Sequence, residues 1–313
     1  MFADHRQHRT FLPPAEYCPL CPTRPGGPPT EIPMPAFDVA VFENRFPALV
    51  RRPPAPTGEA AAPSRVAPAA GATEVVVYSD DHDLGLADLE PARVVRVVEV
   101  WTDRYVDLGR RDDVAYVFVF ENRGVAIGVT LSHPHGQIYA YPELPPRVRR
   151  RVEVAQAYLA EHAACVHCDV ASTESAAGIR VVARNDTFLA YVPFAARFPY
   201  EVHVVPLRHV PSLPDLTEAE RLDLAVLLRV VLRGYDRLFG FPLPYVMSVH
   251  QAPTRGEGHR PASHLQVELT PIHRTAEKLK YLAGSELGAG AFVNDTAPED
   301  TAGRLRVAMG EGE

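Results

Sequence analysis

The chain has 313 residues, 32 of them lysine or arginine against 39 acidic, for a formal net charge of −7. That length suggests about two domain-sized units of ~150 residues, and the acidic balance argues against nucleic acid as a partner. No run approaches the ~18 consecutive apolar residues of a membrane span, and the first residues lack the basic-then-apolar order of a signal peptide. A cytoplasmic location is therefore the expectation.

In chain order, a Pro/Gly/Thr-rich loop over residues 22–35 leads to an alternating strand over 37–42. Residues 51–72 are Pro/Ala-rich without an apolar period and read as an extended loop. A β-branched strand follows at 74–78. Val94, Val97, Val98, Trp101 and Tyr105 then recur at helical spacing within 88–108. A continuous apolar strand spans 114–120, and a helix is predicted over 146–162. Its arginines 147, 149, 150 and 151 read as a solvated face. Strands at 179–183, 188–192 and 201–206 precede a long helix from 218 to 239, which Thr217 and Glu220 open as a capping box. Strands at 245–249 and 264–270 follow, then a tail from residue 278 with Gly-rich turns and a final short helix.

These elements repeat. All four cysteines lie in two C-x-x-C pairs, Cys18/Cys21 and Cys165/Cys168. After each pair come a Phe-Pro, a strand leading to a histidine, a long helix, a strand and a second histidine. Residues 75–82 align with 202–209, so His209 stands 127 residues after His82, and His264 stands 131 after His133. The nearly constant offset marks a duplicated unit. Overlaying the halves gives two donor sets: Cys18, Cys21, His82 and His133, then Cys165, Cys168, His209 and His264. Two thiolates and two imidazoles suit a closed tetrahedral Zn²⁺ site. Buried free thiols are the bland alternative. Redox chemistry is disfavoured because neither pair is expected to open a helix in a thioredoxin-like context. Asp81 is a candidate to orient His82.

The chemistry concentrates in Ser132-His133-Pro134-His135-Gly136-Gln137. Residues two apart on an extended segment share a face, so His133 can ligate metal while His135 faces a cleft. A neutral imidazole is a nucleophile near pH 7, and attack on phosphorus gives a transferable phosphoramidate. Gln137 can donate an amide N–H to a phosphoryl oxygen, and Gly136 leaves room for a close approach. In the second half Gln266 stands where His135 does, so only the first half is expected to be catalytic.

Residues 120–140, with F-E-N-R-G and H-P-H-G-Q, resemble the active-site segment of the galactose-1-phosphate uridylyltransferase family, a histidine-triad branch with two fused repeats. The resemblance runs from about Asp4 to Arg306. It implies an α+β fold, an antiparallel sheet with helices packed on it, divided into a catalytic HIT-like repeat (1–145) and a structural, interface-forming one (146–313). It implies ping-pong exchange: His135 takes a uridylyl group from UDP-glucose and passes it to galactose 1-phosphate. Asn44, Asn122, Gly128 and Thr130 would line the nucleotide side, with Arg45 where an acid is common. Arg6 and Arg9 match a phosphate-facing segment. Lys280, Tyr281, Ala283, Ser285 and Glu286 match a hexose-facing loop that reaches the other subunit's site, which implies a homodimer. Some members carry an iron site built from a glutamate and three histidines. Here His250 matches one of those positions while Gln266 and Glu268 occupy two others, so Zn²⁺ on the Cys/Cys/His/His set is preferred in the second half, with iron as the alternative. The competing readings are a sister nucleotidyl transferase such as an ADP-glucose phosphorylase, a triad hydrolase, and a zinc-stabilised nucleotide-binding module without catalysis.

Overall fold

The computed structural model describes residues 12–56, 66–256 and 258–310. The first half contributes β1 (Ala40–Glu43), β2 (Ala72–Val77), α1 (Pro91–Gly109), β3 (Tyr116–Arg123) and β4 (His135–Tyr141). The helices α2 (Pro146–His162) and α3 (Val166–Ala177) follow, then β5 (Val181–Arg184), β6 (Phe188–Tyr191), β7 (Val202–Pro206), α4 (Glu218–Leu238), β8 (Tyr245–His250), β9 (Gln266–Pro271) and α5 (Pro298–Met309). All nine strands join one antiparallel sheet in the order β1-β2-β4-β3-β8-β9-β7-β6-β5. The expected α+β architecture is the observed one.

About the β3–β8 junction four strands on each side are equivalent (β3/β8, β4/β9, β2/β7 and β1/β6), with β5 added at the far edge of the second half. Phe120 pairs with Ser248 across the junction, and each also pairs with the site strand of its own half, Gln137 and Glu268. The pseudo-twofold axis therefore passes through the Phe120–Ser248 pair. The register corrects the sequence alignment by one residue. Gln137 pairs with Val75 and Glu268 with His203, so Val75 matches His203, not Val202. A one-residue slip reverses the faces of a strand, and burial agrees with the corrected match. Val76 and Val204 both lie in the main core, whereas Val77 and Val205 both lie in the smaller clusters on the other face.

The main core sits between the sheet and the helices α1 and α4. The periodic residues of α1, Val94 through Tyr105, are all buried as its spacing predicts. The helix begins at Pro91, not at residue 88, because Pro91 suits the first turn and Asp88 instead accepts from Gly85 N–H, 3.2 Å. On α4 the capping box forms: Glu220 N–H donates to Thr217 Oγ1, 3.2 Å, and Thr217 N–H to the Glu220 carboxylate, 2.8 Å. The helix α3 was not expected. It buries only Ala171 and Glu174, too little to leave an apolar period, and Cys165 is its N-cap. The second C-x-x-C thus does open a helix, but one preceded by α2 and not by a strand.

The arginine-rich face of α2 is also not wholly solvated. Arg147 and Arg151 both reach buried Glu268, at 2.8 and 2.6 Å, Arg151 mostly covered and Arg147 still more than half exposed. Arg149 and Arg150 instead pair with surface Glu143 and Glu153. Residues four apart share a helix face, which separates the pair that binds Glu268 from its neighbours.

Candidate active site and metal centres

The strand β4 opens at His135 and is paired on both sides, by β2 and β3. Its odd positions, His135 and Gln137, face a cavity of about 250 Å³. Asn44, Asn122, Gly128 and Thr130 line the same cavity, as does Arg45. His135 Nδ1–H donates to the His133 carbonyl, 2.8 Å. This fixes the tautomer and leaves the Nε2 lone pair free. Burial holds the imidazole pKa below its ordinary value, partly opposed by that hydrogen bond, so the ring is neutral and nucleophilic at pH 7. Asn44 Nδ2–H donates to Gln137 Oε1, 3.4 Å, which leaves the Gln137 amide hydrogens for a ligand in the cavity. Asn44 Oδ1 in turn accepts from Phe46 N–H, 2.9 Å, so Asn44 serves here to position Gln137.

Gly136 faces the opposite, core side of the sheet. A Cβ there would lie 2.3 Å from Tyr78 Oη. The close approach that requires glycine is therefore that of a tyrosine beneath the strand. Tyr78 O–H donates to Glu121, 3.3 Å, and Tyr245 O–H donates to the other Glu121 oxygen, also 3.3 Å. Burial pushes the Glu121 carboxyl up to about 7, against the lowering effect of Arg123 and both hydroxyls. Nothing in the sequence pattern marked this trio, because Tyr78 directly follows β2 while Glu121 and Tyr245 come from β3 and β8.

Both Cys/Cys/His/His sets come together, their ligand atoms within 4.8 Å of one another. In each set the imidazoles aim Nδ1 at the cluster. His82 and His133 Nδ1 lie 3.3 and 3.4 Å from Cys21 Sγ, and His209 and His264 Nδ1 lie 3.5 and 3.4 Å from Cys168 Sγ. Tetrahedral coordination with Zn–S near 2.3 Å and Zn–N near 2.05 Å places S and N about 3.6 Å apart, so the donor set fits. The other ring nitrogens are anchored as metal-ligating histidines usually are: His133 Nε2–H to Ser79 O at 2.8 Å, His264 Nε2–H to Pro206 O at 3.0 Å, and His209 Nε2–H to Arg260 O at 3.2 Å. His82 Nε2 meets Ser132 Oγ at 2.9 Å. Ser132, and not Asp81, thus orients His82, while Asp81 instead accepts from Asp83 N–H. Burial lowers His133 and His264 to about 4. Burial and the neighbouring cysteine push Cys21 and Cys168 up to about 12. Without metal these thiols are protonated.

The region of His250, Gln266 and Glu268 is different. Glu201, His203 and Glu268 have ligand atoms within 4.8 Å, but arginines already hold both carboxylates. Arg197 binds Glu201 and Glu268, at 2.7 and 2.8 Å, and Arg151 also donates to Gln266. A cation would have to displace guanidinium groups from buried carboxylates whose pKa values lie below the ordinary range. The cluster is an ion-pair network tying α2 to β9.

Arg6 and Arg9 lie outside the described residues. The hexose-loop residues are described but do not line the His135 cavity of their own chain. Lys280 is buried and bound to Glu286, 3.0 Å. Glu286 also accepts from Ala283 N–H, 3.2 Å, and Ser285 O–H donates to Ala291 O, 2.8 Å. Tyr281 projects from this braced loop, 75% exposed.

A neutral histidine beside a positioned amide, on a strand anchored by a Cys/His cluster and duplicated without the nucleophile, defines a two-repeat nucleotidyl-transfer architecture. The profile described as "Galactose-1-phosphate uridyl transferase, N-terminal domain" matches residues 3–145, and the C-terminal-domain profile matches 151–312. The chain belongs to this family. The galactose-1-phosphate uridylyltransferase of Thermotoga maritima is 40% identical over 300 residues, covering 96% of this chain and 92% of the relative. A solved uridylyltransferase superimposes with a TM-score of 0.86 at 37% identity, covering 96% of this chain and 93% of that one. A solved ADP-glucose phosphorylase from Arabidopsis thaliana, described with bound ADP-glucose, gives 0.75 at 26% identity over 88% and 83% of the two chains.

Proposed function

We propose that this chain is a UDP-glucose–hexose-1-phosphate uridylyltransferase acting through a covalent uridylyl–His135. The observation that carries the reading is the fixed tautomer of His135, its Nδ1–H held by the His133 carbonyl and its Nε2 free beside Gln137. In the first half-reaction Nε2 bonds to the α-phosphorus of UDP-glucose, the P–O bond to the β-phosphate breaks, and glucose 1-phosphate leaves. In the second, a phosphate oxygen of galactose 1-phosphate attacks the same phosphorus, the N–P bond breaks, and UDP-galactose leaves with His135 restored. Gln137 N–H, held by Asn44, stabilises the charge that develops on the phosphoryl oxygens. Asn122, Gly128 and Thr130 bound the nucleotide side, and Arg6 and Arg9 serve the phosphates.

Both Cys/His clusters take Zn²⁺ in this reading, which braces His133 and so the start of β4. Tyr281 on its braced loop reaches the cleft of a second subunit in a homodimer. Cytoplasmic placement is supported by four free cysteines and by the lack, among the described residues, of a helix long and apolar enough to cross a membrane. The ADP-glucose-using relative is the observation that keeps a second reading, adenylyl transfer from ADP-glucose.

The test is intact-protein mass at mildly alkaline pH after mixing with UDP-glucose or, separately, ADP-glucose. A uridylyl adduct on the wild type, absent from His135→Ala, is expected. An adenylyl adduct alone moves the chain to the second reading. No adduct from either donor, in folded and metal-loaded protein, overturns both.

A further inference from the structure

The corrected register superimposes a second cleft on the first. Of the positions lining the His135 cavity, Pro19, Phe42, Arg45, Val75 and His135 have as counterparts Val166, Tyr191, Phe194, His203 and Gln266. Those five residues all line one cleft of about 570 Å³ in the second repeat. The helices α2 and α3, without counterparts among the described residues of the first half, supply its outer wall, including Arg151 and Tyr158. Duplication has therefore kept the cavity while replacing its nucleophile.

The replacements give the cleft a definite polarity. At its inner end, where His135 stands in the first half, Arg151, His203 and Gln266 line the cleft, and behind them Arg147, Arg151 and Arg197 hold the carboxylates of Glu201 and Glu268. The lining sets Arg151 and Arg180 against Asp169 and Glu174; Arg180 is paired to Glu174 toward the outer wall, which leaves Arg151 as the lining cation at the inner end. His203 adds a ring nitrogen there, its Nε2 lying 2.9 Å from Glu201. At the outer end the lining is aromatic. Phe194 is 74% exposed, unusual for a residue fixed beneath an arginine, and Arg180 Cζ sits 5.3 Å from its ring centroid. Tyr191 packs edge-on to His203 with ring centroids 5.7 Å apart.

We propose that this second cleft binds a nucleoside monophosphate without turnover, the phosphate toward Arg151 and His203 and the base against Phe194. The orientation rests on the reading that the first cleft holds a nucleotide with its phosphorus at His135. Gln266 has no nucleophilic lone pair, so the bound nucleotide is not transferred. The site is one for an effector or a retained product.

The test counts binding on protein whose first cleft is already filled. Wild-type chain uridylylated on His135 is dialysed against radiolabelled UMP. One further equivalent per chain is expected, with AMP competing and uridine binding at least tenfold more weakly. Phe194→Ala lies on the surface and leaves His135 uridylylation unchanged. It weakens the extra equivalent about tenfold, as loss of a base-stacking ring does, and Phe194→Tyr restores it. No extra equivalent, one indifferent to Phe194→Ala, or one that takes uridine as well as UMP overturns the inference. If UDP-glucose leaves no adduct, the transferase reading fails on its own account. The count is then made on unmodified protein, where Phe194→Ala still has to remove one of two equivalents.

Discussion

Replacing Gly136 by alanine tests whether the active strand is held from beneath. The new Cβ would sit 2.3 Å from Tyr78 Oη and 3.1 Å from both Tyr78 Cζ and the Phe120 carbonyl oxygen. Tyr78 is fully buried and stacks edge-on to Trp101 at 6.3 Å, so it has no free direction in which to retreat. Phe120 belongs to the strand ladder opposite Gln137. About 1 Å of displacement has to come from one side or the other. Over-packing of this kind costs ~1–3 kcal/mol, and breaking the Tyr78–Glu121 hydrogen bond adds ~1 kcal/mol. The lower chain entropy of alanine in the unfolded state returns about 0.4–1 kcal/mol. The net loss is therefore about 1–3.5 kcal/mol, a fall in Tm of roughly 2–5 °C for a chain of this size.

The effect on chemistry is larger, because Gly136 lies between His135 and Gln137, the two residues proposed to face the phosphorus. A shift of about 1 Å in reacting groups costs on the order of 10²-fold in rate. Single-turnover adduct formation with UDP-glucose, read by intact mass against time, gives that number. Tyr78→Phe removes the nearest atom, so the double variant Gly136→Ala/Tyr78→Phe is expected to regain most of the rate lost by Gly136→Ala alone. The coupling, not either single effect, is diagnostic. Gly136→Ala at the wild-type rate, or a double variant no faster than Gly136→Ala, would refute this account of the glycine.

Two further outcomes follow from buried titrating groups. Glu121 has a folded pKa of about 7 against an ordinary 4.5, so the folded state holds a proton that the unfolded state releases between those values. Its stabilising contribution is complete below pH 4.5 and is lost as pH rises to 7, about 3 kcal/mol in all. The groups facing it are Tyr78, Tyr245, Arg123 and, through Arg123, Asp236. Denaturant melts of Glu121→Gln should flatten this decline, and an unchanged slope would assign it elsewhere. Reloading metal-free protein with Zn²⁺ at pH 7 should release at least one proton per site, because Cys21 and Cys168 start protonated while His133 and His264 start neutral. Calorimetry in buffers of different ionisation enthalpy counts them, and a release near zero would show that Cys21 and Cys168 are not ligands.

How far the sequence carried the structure depended on what each residue had to reveal. The metal sets were legible because eight donors recur in one order, and the cleft was legible because His135 and Gln137 stand two apart on a strand. The periodic helices α1 and α4 announced their buried faces. What failed was information held across the sheet. The alignment of 75–82 with 202–209 matched the histidines correctly and slipped β7 by one residue, because four residues separate Val77 from His82 but three separate Val205 from His209. Only strand pairing detects a one-residue difference of that kind. The reading of Gly136 erred for the same reason: its partner, Tyr78, lies just past the end of the neighbouring strand β2.

The two halves also diverge where their chemistry diverges. In the first, Gln137 stays neutral and its oxygen is held by Asn44, so donors remain for a phosphoryl group. In the second, Glu268 at the same register is a buried carboxylate, and a buried carboxylate has to be paired. The i, i+4 arginines of α2 perform that pairing, which is why a helix that looked solvent-facing is drawn onto the sheet. One exchange of amide for acid at a single strand position thus accounts for the arginines, for the closure of α2 over the second cleft, and for the absence of open cation ligands at Glu268. It predicts that Glu268→Gln frees Arg147 and Arg151 and loosens α2. Hydrogen exchange would show this as faster amide exchange across 146–162, with the β4 amides of the first half unchanged. Equal protection of α2 in the variant and the wild type would mean that apolar packing, and not the ion pairs, holds the helix.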